Sequence, residues 1–467
     1  MSFLRFVHIF VALSLLMLGC AGPRTQLMQK VRTEMSASRT ETAYQVYKNK
    51  VKDTQRVDEL LNLGLLAYEA KDYTACQTAL ARADELAEER QTKSLSREAA
   101  GIAVSDRVRA YQGTVFDKAM IHYYRALAYL AQNELDEAVV EGRRVASYLE
   151  VNARKSKHTY KDDAFLQWFN GCLYEHAGQM DDALISYHRA QEVFKNYYGL
   201  ETPSFLCPAA AEAARAAGSP DSGDDCPIDS AEAGYGRVIV ICETGIAPPI
   251  RESNIVLPIV ETTRTDFAND DERDAYYYGL YEEHERHPYD EGLKLKYVLR
   301  LALPYYEDFD TGSEVARVNV RDAGDFSTDA ELSEDAGTIL RQDLKDRYPA
   351  IVARAIARAI IKYSATEAAK EIGKEKDEKG KRHEGVLSGV LGAIVNAAGV
   401  ASEAADTRSW ETLPDRIFVA DFRLPPGAYE LRAVFEAGNG RTVMRHDFDR
   451  VEVKPGELVF LRARCME

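Results

Sequence analysis

The chain has 467 residues, a formal net charge of −16, 46% hydrophobic residues and 29% charged residues. This length predicts two to four domains, and the composition is typical of a folded protein. The negative charge argues against a broad surface for nucleic-acid phosphates, and equally against general electrostatic attachment to anionic lipid.

The N-terminus carries a secretory signal. Arg5 precedes an apolar run over residues 6–18, which is short for a permanent membrane span. Cys20, directly after a small residue at the end of this run, resembles the lipobox of bacterial lipoproteins. The resemblance implies removal of residues 1–19 and acylation of Cys20. With Ala21 in the next position it also implies an outer-membrane lipoprotein that faces the periplasm. An ordinary signal peptide with a chance cysteine is the alternative.

The other six cysteines would meet an oxidising compartment, which permits disulfides. Cys207 and Cys226 flank a polar loop and form the first candidate pair, while a Cys242–Cys465 pair is left open. Two further thiols fall at helical packing positions and are predicted to be buried: Cys76 and Cys172. No Cys/His spacing indicates zinc, and we predict neither a metal site nor a cofactor.

Three segments of the N-terminal half repeat one pattern, over residues 60–84, 119–145 and 165–190. Small residues recur where two antiparallel helices would cross: Gly64, Ala126, Ala138, Gly171 and Ala183. Together the segments resemble tetratricopeptide repeats, with insertions between them. The resemblance implies a short helical array with a concave face for a peptide or helix of a partner protein. Candidate partner-binding residues on such a face are Tyr123, Tyr124, Arg143 and Arg144.

The predicted fold class is α+β, with an all-α tetratricopeptide-like array followed by a mixed α/β region. A tether and first helix over residues 20–57 precede the array, which covers residues 58–218. Turn-forming residues over 219–235 indicate a linker. The α/β region covers residues 236–404. Residues 405–467 should add a four-stranded antiparallel sheet or a small sandwich packed with it.

Within the α/β region, strands over residues 237–243 and 251–260 are predicted to form a hairpin-like unit, and another strand covers 293–304. A long helical pattern over 332–382 carries three cations on an edge that is expected to be solvated: Arg354, Arg358 and Lys362. The apolar segment 385–400 is predicted to be a buried helix, with a dimer contact or a peripheral membrane helix as alternatives.

Two small groups of residues deserve a functional test. Tyrosines between residues 276 and 281 could stack on sugar rings, although a helix packed on a sheet is the simpler interpretation. His284 and His287, nearby, lack the spacing of a zinc site. Trp410 lies beside Asp406 and Arg408, which we interpret as a structural turn held by an Arg–Asp pair.

Several blocks together resemble an uncharacterised family of bacterial envelope proteins with tetratricopeptide-like N-terminal halves. The blocks are residues 111–130, 138–144, 237–252, 303–306 and 405–431. The resemblance implies no established enzymatic activity and no catalytic residues. Some relatives are encoded near lipoprotein activators of penicillin-binding proteins, which implies a role in cell-wall or envelope assembly.

The leading hypothesis is therefore a non-enzymatic, lipid-anchored scaffold or adaptor that binds an envelope protein partner through its repeats. The alternative is a lipoprotein that binds peptidoglycan or another glycan. An enzyme is not predicted, because the sequence has no nucleophile elbow, phosphate-binding loop or HExxH motif.

Overall fold

The computed structural model describes residues 23–51, 55–94, 110–155, 159–195, 200–219, 234–262, 293–307, 315–320, 326–372, 375–376, 382–383 and 386–466. Over these residues the N-terminal half is helical and the C-terminal half combines strands with two long helices. The α+β fold class predicted from the sequence is confirmed.

In the described ranges, the helical half consists of four antiparallel pairs followed by a single helix. The pairs are α1 (Pro23–Ser36) with α2 (Thr40–Lys50), α3 (Val57–Glu69) with α4 (Tyr73–Ser94), α5 (Val115–Leu130) with α6 (Leu135–Lys155), and α7 (Ala164–His176) with α8 (Met180–Phe194). The single helix is α9 (Leu206–Ala217). Three of the pairs match the predicted repeats. The first pair, α1 and α2, lies where a tether followed by one helix was predicted.

Small residues sit where the paired helices touch, as the repeat pattern predicts. A Cβ atom on Gly64 would lie 2.6 Å from the Leu80 side chain, and one on Gly171 would overlap the Tyr187 ring. The start of α5 is fixed by a capping box. There, Thr114 Oγ1 accepts from the Asp117 amide at 2.9 Å, and Asp117 Oδ2 accepts from the Thr114 amide at 2.8 Å.

Among the described residues, the main sheet has seven strands in the order β11-β10-β4-β5-β8-β1-β13. Their bounds are β1 Gly236–Thr244, β4 Val315–Val320, β5 Phe326–Asp335, β8 Arg416–Leu424, β10 Leu431–Glu436, β11 Thr442–Asp447 and β13 Leu458–Cys465. Strand β1 is antiparallel to β8 and parallel to β13. Two shorter strands pair separately, namely β9 (Gly427–Tyr429) and β12 (Val451–Val453).

This topology corrects two expectations. The C-terminal strands do not form a four-stranded antiparallel sheet of their own, because β1 lies between β8 and β13. All nine residues of β1 are buried, so this strand needs neighbours on both edges and cover on both faces. Strand β1 also does not form a hairpin with the next strand, β2 (Ile250–Thr262), which pairs with β3 (Leu293–Tyr306). Both edges of β1 are already occupied.

The sheet separates two apolar cores. Ile239 and Ile241 of β1 pack with the helical repeats. The alternate residues of β1 point to the opposite face and pack with residues of the other strands on that side: Val238, Val240 and Cys242. Successive side chains of a strand point to opposite faces, so one strand supplies both cores.

The remaining elements form what we call the arm. It consists of the β2–β3 ribbon, the C-terminal half of helix α10, which spans Ala336–Ile372, and helix α11 (Val386–Ala401). Two-residue strands β6 (Glu375–Lys376) and β7 (Arg382–His383) lie between the two helices in the chain. Within the described part of the chain, no helix combines the length and apolar character required to cross a membrane.

Two predictions about the arm are wrong. Helix α11 is not buried, since Val390 and Ile394 are 48% and 59% exposed. The cations of α10 do not form one solvated edge, because Arg358 is buried and pairs with Glu403. Polar residues of both helices have partners inside the arm, as Asn396 donates to the Val298 carbonyl and Arg358 pairs with Glu403, while aliphatic side chains of both helices are exposed.

Candidate functional site

The concave side of the repeat array is covered by the chain's own sheet. Helices α3, α5 and α7 form this inner side, and residues 116–128 of α5 are all buried. The strands that lie against them are β1, β8 and β13, through apolar residues that belong to the same core as the repeats. The groove in which a tetratricopeptide-like array would accept a partner is therefore filled from within the molecule.

Tyr123 and Tyr124 show how the groove is filled. Both side chains are fully buried, and their hydroxyls donate to Glu243 of β1 at 3.3 and 3.1 Å. Burial, followed by the charge of Glu243, raises the pKa of both phenols well above the ordinary value. The prediction that these two tyrosines line an open partner-binding face is wrong, because the sheet occupies that space.

A buried charge network joins the array to the sheet. Arg462 Nη2 donates to Glu69 of α3 at 2.6 Å and to Glu243 at 2.5 Å, and Arg464 Nη1 donates to Glu69 at 3.2 Å. Burial alone would raise the pKa of Glu69. The two neighbouring guanidinium groups outweigh it and hold this pKa below the ordinary value. Glu69 is thus held ionised inside the protein.

A second network ties β1 to the last repeat. Arg237 donates to Asp421 of β8 at 2.6 Å, to the Tyr187 hydroxyl at 3.1 Å, and to Glu175 of α7. Arg237 is almost completely buried. The two networks stand at opposite ends of β1, so they fix the position of this strand along the array.

Sequence reasoning missed these network residues, although a signal for them existed. In strand β1 the apolar run is flanked by Arg237 and Glu243, and in β13 Arg462 and Arg464 alternate with apolar residues. Charged residues on one face of a strand whose other face is apolar usually indicate that the charged face is exposed to solvent. Here they meet charges of the repeats.

Trp410 and its neighbours add to the contact between the repeat array and the sheet. The indole ring lies 5.8 Å from the Tyr124 ring, and its Nε1 donates to Thr412 Oγ1 at 3.1 Å. Arg408 donates from Nε and Nη2 to the two carboxylate oxygens of Asp406, each at 2.7 Å. The predicted Arg–Asp pair in this segment is confirmed.

Beside this turn lies a cavity of about 640 Å³, between the start of α5, helix α10 and the β2–β3 ribbon. Tyr111, Tyr306 and Trp410 supply its aromatic lining. Its charged lining residues balance, as three arginines meet three aspartates: Arg347, Arg354, Arg408, Asp117, Asp346 and Asp406. In the described ranges, no group of three or more His, Cys, Asp or Glu residues could hold a metal ion.

The outer side of the array presents a different surface, which we call the outer patch: Val140, Arg143, Arg144 and Ile185. Ile185 is 67% exposed and Val140 is 44% exposed. Arg143 Nη2 donates to Gln179 at 2.9 Å, while Arg144 stays half exposed and lies 3.4 Å from Glu141. The two arginines remain candidate partner-binding residues, now on the convex side.

The cysteines divide as follows. Cys207 is disulfide-bonded, and its predicted partner Cys226 lies outside the described residues. Cys242 and Cys465 are buried and share no disulfide, so the Cys242–Cys465 pair left open from sequence is wrong. Cys242 faces Ala463 in the register of β1 and β13, which separates the two thiols by two residues. The predicted buried thiols are confirmed as free and buried: Cys76 and Cys172.

Three other groups singled out from sequence lie outside the described residues: Cys20, the tyrosines between 276 and 281, and the histidines at 284 and 287. The predictions made for them stay predictions.

No protein-family model matches the chain, and no curated protein matches it. Solved structures with some likeness include the MamA protein, at 15% identity over 43% of this chain and 86% of that chain, with a TM-score of 0.29. A Podosopora anserina putative kinesin light chain with TPR-like repeats has 14% identity over 43% and 90% of the two chains, with a TM-score of 0.30. YrrB, a TPR protein with an unusual peptide-binding site, has 10% identity over 43% and 80%, with a TM-score of 0.27. At such scores the repeat assignment rests on the helical hairpins themselves.

Proposed function

We propose that this protein is a non-enzymatic, lipid-anchored envelope scaffold that binds a protein partner on the outer side of its helical repeats. The observation that carries the proposal is the filled inner groove. Because the sheet covers the concave side, a partner of the array has to use the convex side. There the outer patch offers exposed cationic and apolar side chains together.

The chemistry of the outer patch favours an acidic partner segment with an apolar anchor. Two adjacent arginines, Arg143 and Arg144, stand on a chain whose net charge is −16. Such a local positive site gives orientation and specificity to an encounter with an acidic chain. Val140 and Ile185 add apolar area of the kind that is usually buried at the centre of an interface.

The proposed anchor is compatible with the N-terminal helix. Helix α1 begins at Pro23, three residues after Cys20, and its side chains Met28, Val31 and Met35 are buried in the core of the array. An acyl group on Cys20 would therefore be joined by a short connection to a firmly packed helix. Cell-wall or envelope assembly is the setting that the family resemblance implies for such a scaffold.

Photocrosslinking in intact envelopes tests the partner-binding side. A photoreactive residue at position 185 should trap one defined protein. The Arg143→Glu and Arg144→Glu pair should abolish that product, because both reversed charges would repel an acidic segment. A control pair at exposed arginines elsewhere, Arg154→Glu and Arg450→Glu, changes the net charge equally and should leave the product intact. Equal crosslinking in all variants would refute the outer patch as the binding side.

The anchor has a separate test. A Cys20→Ser substitution should remove the acyl group and lower the share of the protein that is retained in the membrane fraction. Mass spectrometry of the N-terminus would reveal whether an uncleaved signal segment holds the variant instead. An unmodified Cys20 in the parent protein would overturn the lipoprotein assignment.

A further inference from the structure

The outward side of helix α10 in the arm consists mainly of apolar and small residues over sixteen residues, with Glu367 as a partly exposed charge among them. Between Ala353 and Ala368 the exposed residues are all apolar or small: Ala353, Ile356, Ile360, Ile361, Ser364, Ala365 and Ala368. Ile360 is 57% exposed. A helix that faces water normally places charged and polar residues on this side.

Arg358 and Lys362 of this stretch lie on the other side. Arg358 Nη2 is 2.9 Å from Glu403 Oε1, and Lys362 Nζ is 2.6 Å from Glu403 Oε2. Both Arg358 and Glu403 are buried. Ile351, Ala355 and Ala359 of α10 pack with Leu301 and Leu303 of the ribbon, so the helix is apolar toward the ribbon and again on its outward side.

Helix α11 continues the same surface. It contains no charged residue between Val386 and Ala401. The exposed positions in its described side chains follow one stripe: Val390, Ala393, Ile394, Ala397, Ala398 and Ala401.

Helices α10 and α11 run antiparallel with their outward sides next to each other. A Cβ on Gly392 would meet the Lys370 side chain, and one on Gly399 would lie 3.6 Å from Lys362. Asn396 of α11 donates to the Val298 carbonyl of β3 at 3.4 Å, and α10 also packs on β3. Since both helices contact the ribbon from one side, their apolar stripes form a single surface on the other side. We call it the arm face.

We propose that the arm face is a membrane-contact surface that lies in the plane of a lipid bilayer. An exposed apolar surface of this extent marks either a protein or a membrane contact. A bilayer is favoured because large aliphatic side chains dominate the arm face, where Ile360 and Ile394 are 57% and 59% exposed, and because its partly exposed charge, Glu367, is paired with Lys370. Helix α11, with 16 residues, is about 24 Å long, which is short of the roughly 30 Å hydrocarbon core and fits an in-plane helix.

The connection between arm and N-terminus supports this assignment, which rests on the proposed anchor at Cys20. The segment that follows α11 packs against helix α1, because Glu411 pairs with Arg24 at 3.2 Å and with Arg32 at 3.3 Å. An acyl group at Cys20 would lie within about 10 Å of Pro23 along the chain. The base of the arm is therefore next to the point at which the bilayer would hold the protein.

Vesicle sedimentation tests the arm face without the anchor. The assay uses the unacylated chain from Ala21 to Glu467, which keeps every described residue, and neutral phosphatidylcholine vesicles. The parent chain should sediment with vesicles at low and at high salt, because apolar contact is not screened. The pair Ile360→Lys with Ile394→Lys should lower the vesicle partition coefficient about ten-fold or more.

A matched pair, Val151→Lys with Val315→Lys, replaces exposed apolar residues outside the arm and should bind vesicles as the parent does. Both pairs should melt at the parent's temperature, since all four positions are exposed. No vesicle binding by the parent, or equal binding by the arm pair, would overturn the proposal. So would a lipid-free dimer that the arm pair dissociates, because a second copy would then cover the face. The Cys20→Ser fractionation does not enter this assay, so failure of the anchor and failure of the arm face are separable.

Discussion

Replacing Arg462 by methionine should destabilise the whole protein, because one guanidinium group serves two buried carboxylates. Arg462 lies 2.6 Å from Glu69 and 2.5 Å from Glu243, both almost fully buried. Methionine keeps much of the side-chain volume and removes only the charge and its hydrogen bonds. The change therefore isolates the electrostatic part of the contact between array and sheet.

The expected cost follows from what remains after the substitution. Removing one partner of a buried ion pair costs about 3–5 kcal/mol, since the other charge is left without compensation. Arg464 still lies 3.2 Å from Glu69 and 3.5 Å from Glu243, so it compensates part of the loss. We therefore expect about 3 kcal/mol, at the lower end of this range. A double variant with Glu243→Gln should recover part of the stability, because one stranded charge is removed.

Urea denaturation followed by tryptophan fluorescence measures this cost. Both tryptophans of the chain, Trp168 and Trp410, are buried, and Trp410 contacts Tyr124 at the array–sheet interface. As a control, Arg154→Met removes an exposed pair with Glu150 and should cost less than about 0.5 kcal/mol. A loss at Arg462 no larger than this control would refute the assignment of the network as a structural lock.

Three further predictions concern single positions. Gly171→Ala should lower the free energy of unfolding by about 1–3 kcal/mol, because the added Cβ overlaps the Tyr187 ring. Gly399→Ala should be neutral or stabilising, because the nearest neighbour of its Cβ is 3.6 Å away. Urea midpoints compare the two variants, and equal midpoints would contradict the close helix crossing at Gly171. Burial, together with the charge of Asp335, raises the pKa of Asp415 to about 6. The protonated carboxyl therefore contributes to the stability of the folded state below its unfolded pKa, and this contribution is lost as the pH rises through about 6. The gain in stability of Asp415→Asn over the parent should therefore grow between about pH 4 and pH 6 and then level off, and a gain that is constant with pH would contradict the raised pKa. Burial raises the pKa of Cys242 to about 12, so mass spectrometry should find this thiol unmodified by iodoacetamide in the folded protein and alkylated in urea; alkylation in the folded protein would contradict its burial.

The repeats could be predicted from sequence because their information is local. Gly64 and Gly171 stand where a paired helix crosses at close range, and such positions recur with a pattern that a single sequence reveals. The long helix α10 was predictable for the same reason, from its helical spacing of apolar residues.

The filled groove could not be predicted because its contacts join distant parts of the chain. Glu69 and Arg462 are 393 residues apart, and nothing local in either segment identifies the other. The position of Tyr124 illustrates the error that results. The local sequence pattern is the same for a tyrosine buried at a helix–sheet contact and for a tyrosine that lines an open groove. Only the presence of a sheet over the helix distinguishes the two.

The arm was misjudged because apolar composition does not specify what covers a helix. Val390 and Ile394 predicted a buried helix, whereas among the described residues α10 and α11 contact each other and β3 and leave Val390 and Ile394 exposed. The charged residues of α10 were equally ambiguous. Their spacing placed Arg358 on one edge with Lys362, but did not reveal Glu403 as a shared partner.

Amide hydrogen exchange in the presence of the crosslinked partner tests the central claim most directly, namely that the sheet fills the groove and the partner binds outside. We expect the partner to slow exchange in α6 and α8, which carry the outer patch, and to leave α5 and β1 unchanged. Faster exchange in α5 and β1 on partner binding would mean that the partner displaces the sheet, and would contradict the account.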